Sequence, residues 1–134
     1  MFDINMEANQ HREMTRESLD IILSLWEHIG GPFQYKGKYW NFNIRDPKEY
    51  EYGTLRTFMA PYQKPHPPMY MLGDSIASHE FAAGRGMPVM CYTPSDSSIE
   101  TSWHAYREAY RNSHGVELAP GENLSIMKPV YVAT

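Results

Sequence analysis

The sequence holds a single cysteine, Cys91, which excludes an internal disulfide framework. No apolar run approaches the ~20 residues of a bilayer-spanning helix, and the N-terminal residues form no signal-peptide apolar core. A cytoplasmic location is therefore expected. Basic residues are not in surplus: 12 Lys and Arg stand against 16 Asp and Glu, for a net charge of -4, and the Lys and Arg are scattered. A nucleic-acid surface needs a basic stripe and a membrane-surface site needs a polybasic cluster, so neither partner is expected. The six histidines (His11, His28, His66, His79, His104 and His114) show no His-x-x-x-His spacing, so no metal site is expected. Spacing gives no Ser-His-Asp arrangement, and no residue is singled out as catalytic. Cys91 has no His or Lys beside it in sequence to mark a reactive thiolate, and is expected to pack as a small hydrophobe.

What the sequence does have is centred on Pro65 to Gly86. Pro68 to Leu72 is a short, continuous apolar run of the kind a buried parallel strand shows. Gly73 permits a sharp turn, and Asp74 reads as the N-cap of a helix that stops at Gly84 to Gly86. Ser75 and Ser78 lie in the first turn of that helix, where unpaired N–H groups and the positive dipole end favour an anion, phosphate above all. Both serines are also ordinary helix-start residues; two hydroxyls three apart make the anion reading the preferred one. His79 is expected to face solvent. Arg85 suits the C-terminal end of the dipole and lies too far along the helix to reach a ligand at its start.

The 134 residues make one domain with a modest core. Residues 1–30 are read as a helical region, 31–67 as a hairpin followed by a Pro-rich loop, and 68–134 as a βαβαβ segment. From Thr15 to His28, Leu19, Ile22, Leu23 and Trp26 fall at i, i+3, i+4 and i+7, one face of an amphipathic helix that Gly30-Gly31-Pro32 ends. Phe33 to Phe42 sets aromatic residues on both sides of Lys36-Gly37 and reads as a hairpin. The turn-rich residues 43–67 are long enough to cover a site, or are a plain surface excursion. Met87 to Tyr92 is a second strand. Ile99 to Asn112 is a second crossover helix with Trp103, Tyr106 and Tyr110 on one side and Gly115 past its end. Leu124 to Ala133, with β-prone Val130, Tyr131 and Val132, is a third strand. Strand–helix alternation means parallel βαβ units.

Several stretches together resemble the bacterial luciferase-like family of flavin-dependent monooxygenases. They are Met14 to Trp26, then Tyr35-x-Gly37-x-Tyr39-Trp40, then Gln63-Lys64-Pro65-His66-Pro67-Pro68-Met69-Tyr70. Gly73-Asp74-Ser75-x-x-Ser78 and Ala82-Ala83-x-x-Gly86 follow in the correct order and spacing. The resemblance implies an α/β fold, a (β/α)₈ TIM barrel of which this chain holds the middle-to-C-terminal part. Such a barrel needs about 250 residues, so a fragment or a reduced member of the family is expected. Unpaired strand edges would then favour a homo- or hetero-oligomer.

The resemblance further implies a flavoprotein oxidoreductase that uses reduced FMN, or in some branches a deazaflavin, and O2 to oxygenate a small organic substrate. A flavin reductase would supply the reduced flavin. By the same resemblance Gly73, Asp74, Ser75 and Ser78 would sit against the cofactor phosphate. Tyr92 and Thr93, at the end of the second strand, would face the mouth of the barrel, Tyr92 as a further cofactor-binding residue, or else pack under a helix. Two other functions stay open: a non-catalytic flavin-binding or scaffold subunit that completes a partner chain, and a deazaflavin-dependent oxidoreductase without oxygen insertion.

Overall fold

The computed structural model describes residues 10–28, 32–45, 61–92 and 95–132. Its contacts divide the chain into two compact units, residues 1–67 and 68–134.

The first unit opens with helix α1 (Gln10–Glu27), which begins a turn earlier than the apolar spacing predicts. Its buried residue is Ile21, whereas Ile22, assigned to the core stripe by periodicity, is 42% exposed. The reason lies in a second line along the helix. Glu13, Glu17 and Ile21 recur every four residues and so share a ridge. Glu13 and Glu17 reach the hairpin that follows, and Ile21 continues that ridge. The glycines expected to end α1 lie outside the described residues, as do residues 46–60 of the turn-rich stretch expected to cover a site.

Strands β1 (Phe33–Lys36) and β2 (Asn41–Ile44) form the expected antiparallel hairpin, pairing Phe33 with Ile44 and Tyr35 with Phe42. Alternation leaves Phe33, Tyr35, Phe42 and Ile44 half-buried on one face, with the Tyr35 and Phe42 rings stacked at 5.9 Å. The turn closes through Gly37 N–H to Trp40 C=O at 2.8 Å. It is then fastened to α1: the Glu17 carboxylate accepts the backbone N–H groups of Lys38, Tyr39 and Trp40 at 2.9–3.2 Å. A side chain at Gly37 would collide with that carboxylate and with the Tyr35 ring, so glycine is required there by close approach.

The second unit is a three-stranded parallel sheet in the order β3 (Met71–Leu72), β4 (Val89–Tyr92), β5 (Leu124–Met127). Helix α2 (Ile76–Gly84) connects β3 to β4, and α3 (Asp96–His114) connects β4 to β5. This is a segment of a (β/α)₈ barrel. α3 starts earlier than Ile99 because Ser95 caps it, its hydroxyl accepting the Ser98 N–H. It ends as expected at Gly115, whose φ of 68° is the left-handed conformation glycine adopts freely. β5 is shorter than expected. It stops at Met127, two residues before Pro129, which has no N–H for the ladder. Val130, Tyr131 and Val132 lie beyond the strand and are 78–93% exposed, so their β propensity goes unused.

Ala82 and Ala83 of α2 are fully buried, as are Tyr106 of α3 and, within 2%, Val89 and Cys91 of β4. The small α2 residues let the helices close on each other. The Tyr106 hydroxyl donates to Met87 C=O at 3.0 Å, and His114 Nε2 donates to Ala83 C=O at 2.8 Å. Burial pushes the Tyr106 phenol up to about 12, so it stays a donor. Val89 and Cys91 point to the helix-covered face of the sheet. Met90 and Tyr92 alternate to the opposite face, flanked in register by Leu72 and Met127. Leu72, Tyr92 and Met127 there are 47–62% exposed. In a closed barrel this second face is the interior.

Candidate functional site

The site forms where β3 runs into α2. Gly73 N–H bonds to Met90 C=O at 3.1 Å, the last tie of this strand to its neighbour. A Cβ at Gly73 would meet Ser78 Cβ at 3.0 Å and Ser78 Oγ at 3.1 Å. Any larger residue would crowd Ser78 and require it to shift by a few tenths of an ångström.

Ser75, not Asp74, is the N-cap of α2. Its backbone is extended (φ -87°, ψ 143°) and its hydroxyl accepts the Ser78 N–H at 3.3 Å. The sequence placed the cap one residue early because Asp and Ser are equally good caps. The tertiary partner decides. Asp74 Oδ1 accepts the Tyr92 backbone N–H at 2.8 Å, across to the end of β4. This engages a carboxylate that would otherwise repel a phosphate at the helix start. The Ser75 and Ser78 hydroxyls, both half-buried, are 2.8 Å apart and bonded to each other. One hydroxyl proton joins the pair, which leaves the other to donate outward. The adjacent first-turn N–H groups of Ile76 and Ala77 have no partner within the helix. Tyr92 enters through its backbone; its side chain is 59% exposed and does not pack under a helix. Gly73, Asp74, Ser75, Ser78 and the Tyr92 main chain are thus brought together. Thr93 lies outside the described residues.

His79 overturns the expectation of a solvent-facing side chain: it is fully buried. Its Nδ1 lies 2.9 Å from Ser75 C=O and its Nε2 lies 3.3 Å from Cys91 Sγ. A carbonyl only accepts, so Nδ1 carries the proton and the Nε2 lone pair faces the thiol. Cys91 is 2% exposed, and burial, then the Asp74 charge, push its thiol up, so it donates as S–H. The sequence offered no His next to Cys91; the βα crossover supplies one from 12 residues away. A signal was present. His79 shares a helix face with Ala82 and Ala83 at i+3 and i+4, the most buried residues of α2.

Arg107 and Arg111 of α3 both pair with Glu117. With His104 and Glu108 they line an open cleft of about 310 Å³ along α3, of mixed charge. Arg85 sits at the C-cap of α2 with its guanidinium 4.9 Å from the centre of the Phe81 ring. Among the described residues no group of His, Cys, Asp and Glu is arranged to hold a metal ion, and no helix is long and apolar enough to cross a membrane.

The turn therefore offers donors: the free hydroxyl proton of the Ser75–Ser78 pair and the start of a helix, at the C-terminal end of a parallel strand. That is where sites lie in (β/α) barrels. Its two titratable groups, Asp74 and His79, are engaged with a backbone N–H and with a carbonyl and a thiol. The arrangement presents hydrogen-bond donors of the kind that suit an anion.

The chain is similar to known proteins in sequence and in fold. Over 131 residues the chain is 26% identical to the oxygenase component of a flavin-dependent trigonelline monooxygenase from Acinetobacter baylyi; the match covers 96% of this chain and 32% of that protein. Its fold matches the oxygenating constituent of 3,6-diketocamphane monooxygenase from Pseudomonas putida, a type II Baeyer-Villiger monooxygenase solved in complex with FMN. There the TM-score is 0.69 at 23% identity, over 92% of this chain and 33% of that one. It also matches the monooxygenase RslO1 from Streptomyces bottropensis, with a TM-score of 0.62 at 20% identity, over 93% of this chain and 34% of that one. The chain thus spans about a third of the length of these relatives. The family model for luciferase-like monooxygenases matches residues 2–133, nearly the whole sequence, and the chain belongs to that family.

Proposed function

We propose that this chain supplies the flavin-phosphate portion of a flavin-dependent monooxygenase that oxygenates a small organic substrate with O2. The observation that carries this reading is the Ser75–Ser78 hydroxyl pair at the start of α2, set over a glycine where a Cβ would intrude, with Asp74 drawn off to β4. Those residues fit the terminal phosphate of FMN. The Ser75–Ser78 pair would donate its free hydroxyl proton to it, the first-turn amides of α2 would add theirs, and Gly73 would allow close approach. When bound, the reduced flavin supplies the electrons that activate O2. The chain's own part is to bind the cofactor by its phosphate and to exclude water from that end.

The name of the Acinetobacter relative, an oxygenase component, supports a separate flavin reductase as the source of reduced flavin. The open apolar face of Leu72, Tyr92 and Met127 supports a chain that works within a larger barrel, with further strands from the same polypeptide or a partner.

Titration of FMN and riboflavin into the chain, together with whatever copurifies with it, tests the assignment. Ser75→Ala/Ser78→Ala weakens FMN by roughly 10- to 100-fold, from the lost hydrogen bond to a charged group, and leaves riboflavin nearly unchanged. Equal weakening of both ligands refutes the phosphate assignment. Flavin binding without substrate-dependent O2 consumption identifies a binding or scaffold subunit instead, and anaerobic hydride transfer to a deazaflavin identifies the deazaflavin branch.

A further inference from the structure

We propose that His79 is a positioning residue for the flavin-phosphate turn, acting through Ser75 and held in place by Cys91; this rests on the phosphate reading above. The turn at Asp74–Ser75 is joined to the end of β4 by two struts. On the exposed side, Asp74 Oδ1 accepts the Tyr92 N–H at 2.8 Å. On the buried side, one imidazole spans Ser75 C=O (2.9 Å) and Cys91 Sγ (3.3 Å). The two struts meet consecutive residues of β4, Cys91 through its side chain on the helix-covered face and Tyr92 through its backbone N–H.

Ser75 is thereby fixed more firmly than a helix cap requires. Its carbonyl already accepts the Ser78 N–H at 2.9 Å and the His79 N–H at 3.1 Å, the ordinary bonds of a first turn. The imidazole adds a third donor, and this one ties the cap to the sheet. It also sets the tautomer: Nδ1–H points at the carbonyl, and the S–H of Cys91 completes Nε2. The ring is fully buried, so neither nitrogen can exchange its partner for water. A planar ring with both ends held defines the place of the Ser75 backbone, and with it the Ser75 and Ser78 hydroxyls. An anion site built on two hydroxyls loses affinity when its donors are displaced by a fraction of an ångström, because hydrogen bonds depend steeply on distance and angle.

The test uses FMN against riboflavin, with the melting temperature of each variant recorded. His79→Phe keeps a buried ring and removes both nitrogens; FMN affinity is expected to fall about fivefold to tenfold with riboflavin unchanged, as the loss of an ordered hydrogen bond predicts. His79→Asn places an amide N–H close to the position of Nδ1 and restores FMN affinity to within about twofold. Cys91→Ala leaves the ring without its thiol and costs about threefold in FMN affinity, which Cys91→Ser, another donor, returns. If His79→Phe does not fold, the Cys91 pair decides alone.

A role in stability only would lower FMN and riboflavin affinity together, in step with melting temperature and without rescue by asparagine or serine. That result overturns the proposal. Wild-type discrimination between FMN and riboflavin that survives both His79→Phe and Cys91→Ala overturns it too, and leaves the phosphate reading standing. Wild type that does not discriminate overturns the phosphate reading first, and this one with it.

Discussion

The two units are held by different forces. In residues 68–134 the core is dry: of the buried hydrophobic residues described, all but Ile21 belong to this unit. Its polar contacts, Tyr106 to Met87 and His79 to Cys91, are set inside apolar packing, where each is strengthened by the low dielectric. In residues 1–67 the defining contacts are carboxylates on a helix reaching a hairpin turn: Glu17 to three backbone N–H groups, Glu13 to Lys38 Nζ and to the Tyr39 hydroxyl. The lesson is that one unit is specified by volume and the other by charge. The Ser75–Ser78 hydroxyl pair lies in the first kind.

The strongest way to break the comparison is to empty the dry core. Tyr106→Ala removes a fully buried ring and is expected to cost about 3–5 kcal/mol, as other buried aromatic truncations do. Hydrogen exchange would read it as lost amide protection across α2 and β4. Unchanged protection there would mean the core is not organised around Tyr106.

Next comes the charged clamp. Glu17→Gln keeps the shape and removes the charge that three N–H groups share; a cost of about 2 kcal/mol is expected, since hydrogen bonds to charged groups are roughly twice as strong as neutral ones. The amides of Lys38, Tyr39 and Trp40 should exchange faster while those of α2 do not. If glutamine holds them as well, shape rather than charge specifies the hairpin.

The smallest effect is a pH dependence in the first unit. Hydrogen bonds from Lys38 and then Tyr39 hold the Glu13 carboxyl below its ordinary 4.5. A carboxyl lowered by folding stabilises fully above its unfolded value, and that contribution is lost as pH falls from about 4.5 through the folded value. The pair is solvent-exposed, so the effect is small and salt-sensitive. Glu13→Gln should remove it, which an acid titration of the Tyr39 ring signals would show. A titration that is the same in wild type and Glu13→Gln would assign the slope to another group.

How much of this was legible in the sequence follows the same division. The parallel βαβαβ order, the antiparallel hairpin and the left-handed stop at Gly115 all came from spacing and residue type, because each depends on neighbours within a turn or a strand. The turn at Gly73 and the serines at the start of α2 were legible for the same reason. The cap was misassigned by one residue, since Asp74 and Ser75 are locally equivalent and only the Tyr92 N–H tells them apart. Ile21 was missed because the 3.6-residue stripe points to Leu19, Ile22, Leu23 and Trp26, while the hairpin docks on the line of Glu13 and Glu17. Val130 to Val132 look like strand, but the ladder ends at Met127, ahead of Pro129.

By itself, then, the sequence determined which segments are helix and strand, their order, and where hydroxyls meet a helix start. These follow from backbone sterics, side-chain period and capping, which act over three or four residues. Only the tertiary structure decided that His79 is buried against Cys91, that Asp74 reaches Tyr92, and that Glu17 holds the hairpin turn. Those partners lie 12, 18 and 21 to 23 residues apart. No local preference encodes such a pairing; it exists once the packed core has fixed the distance between one element and the next.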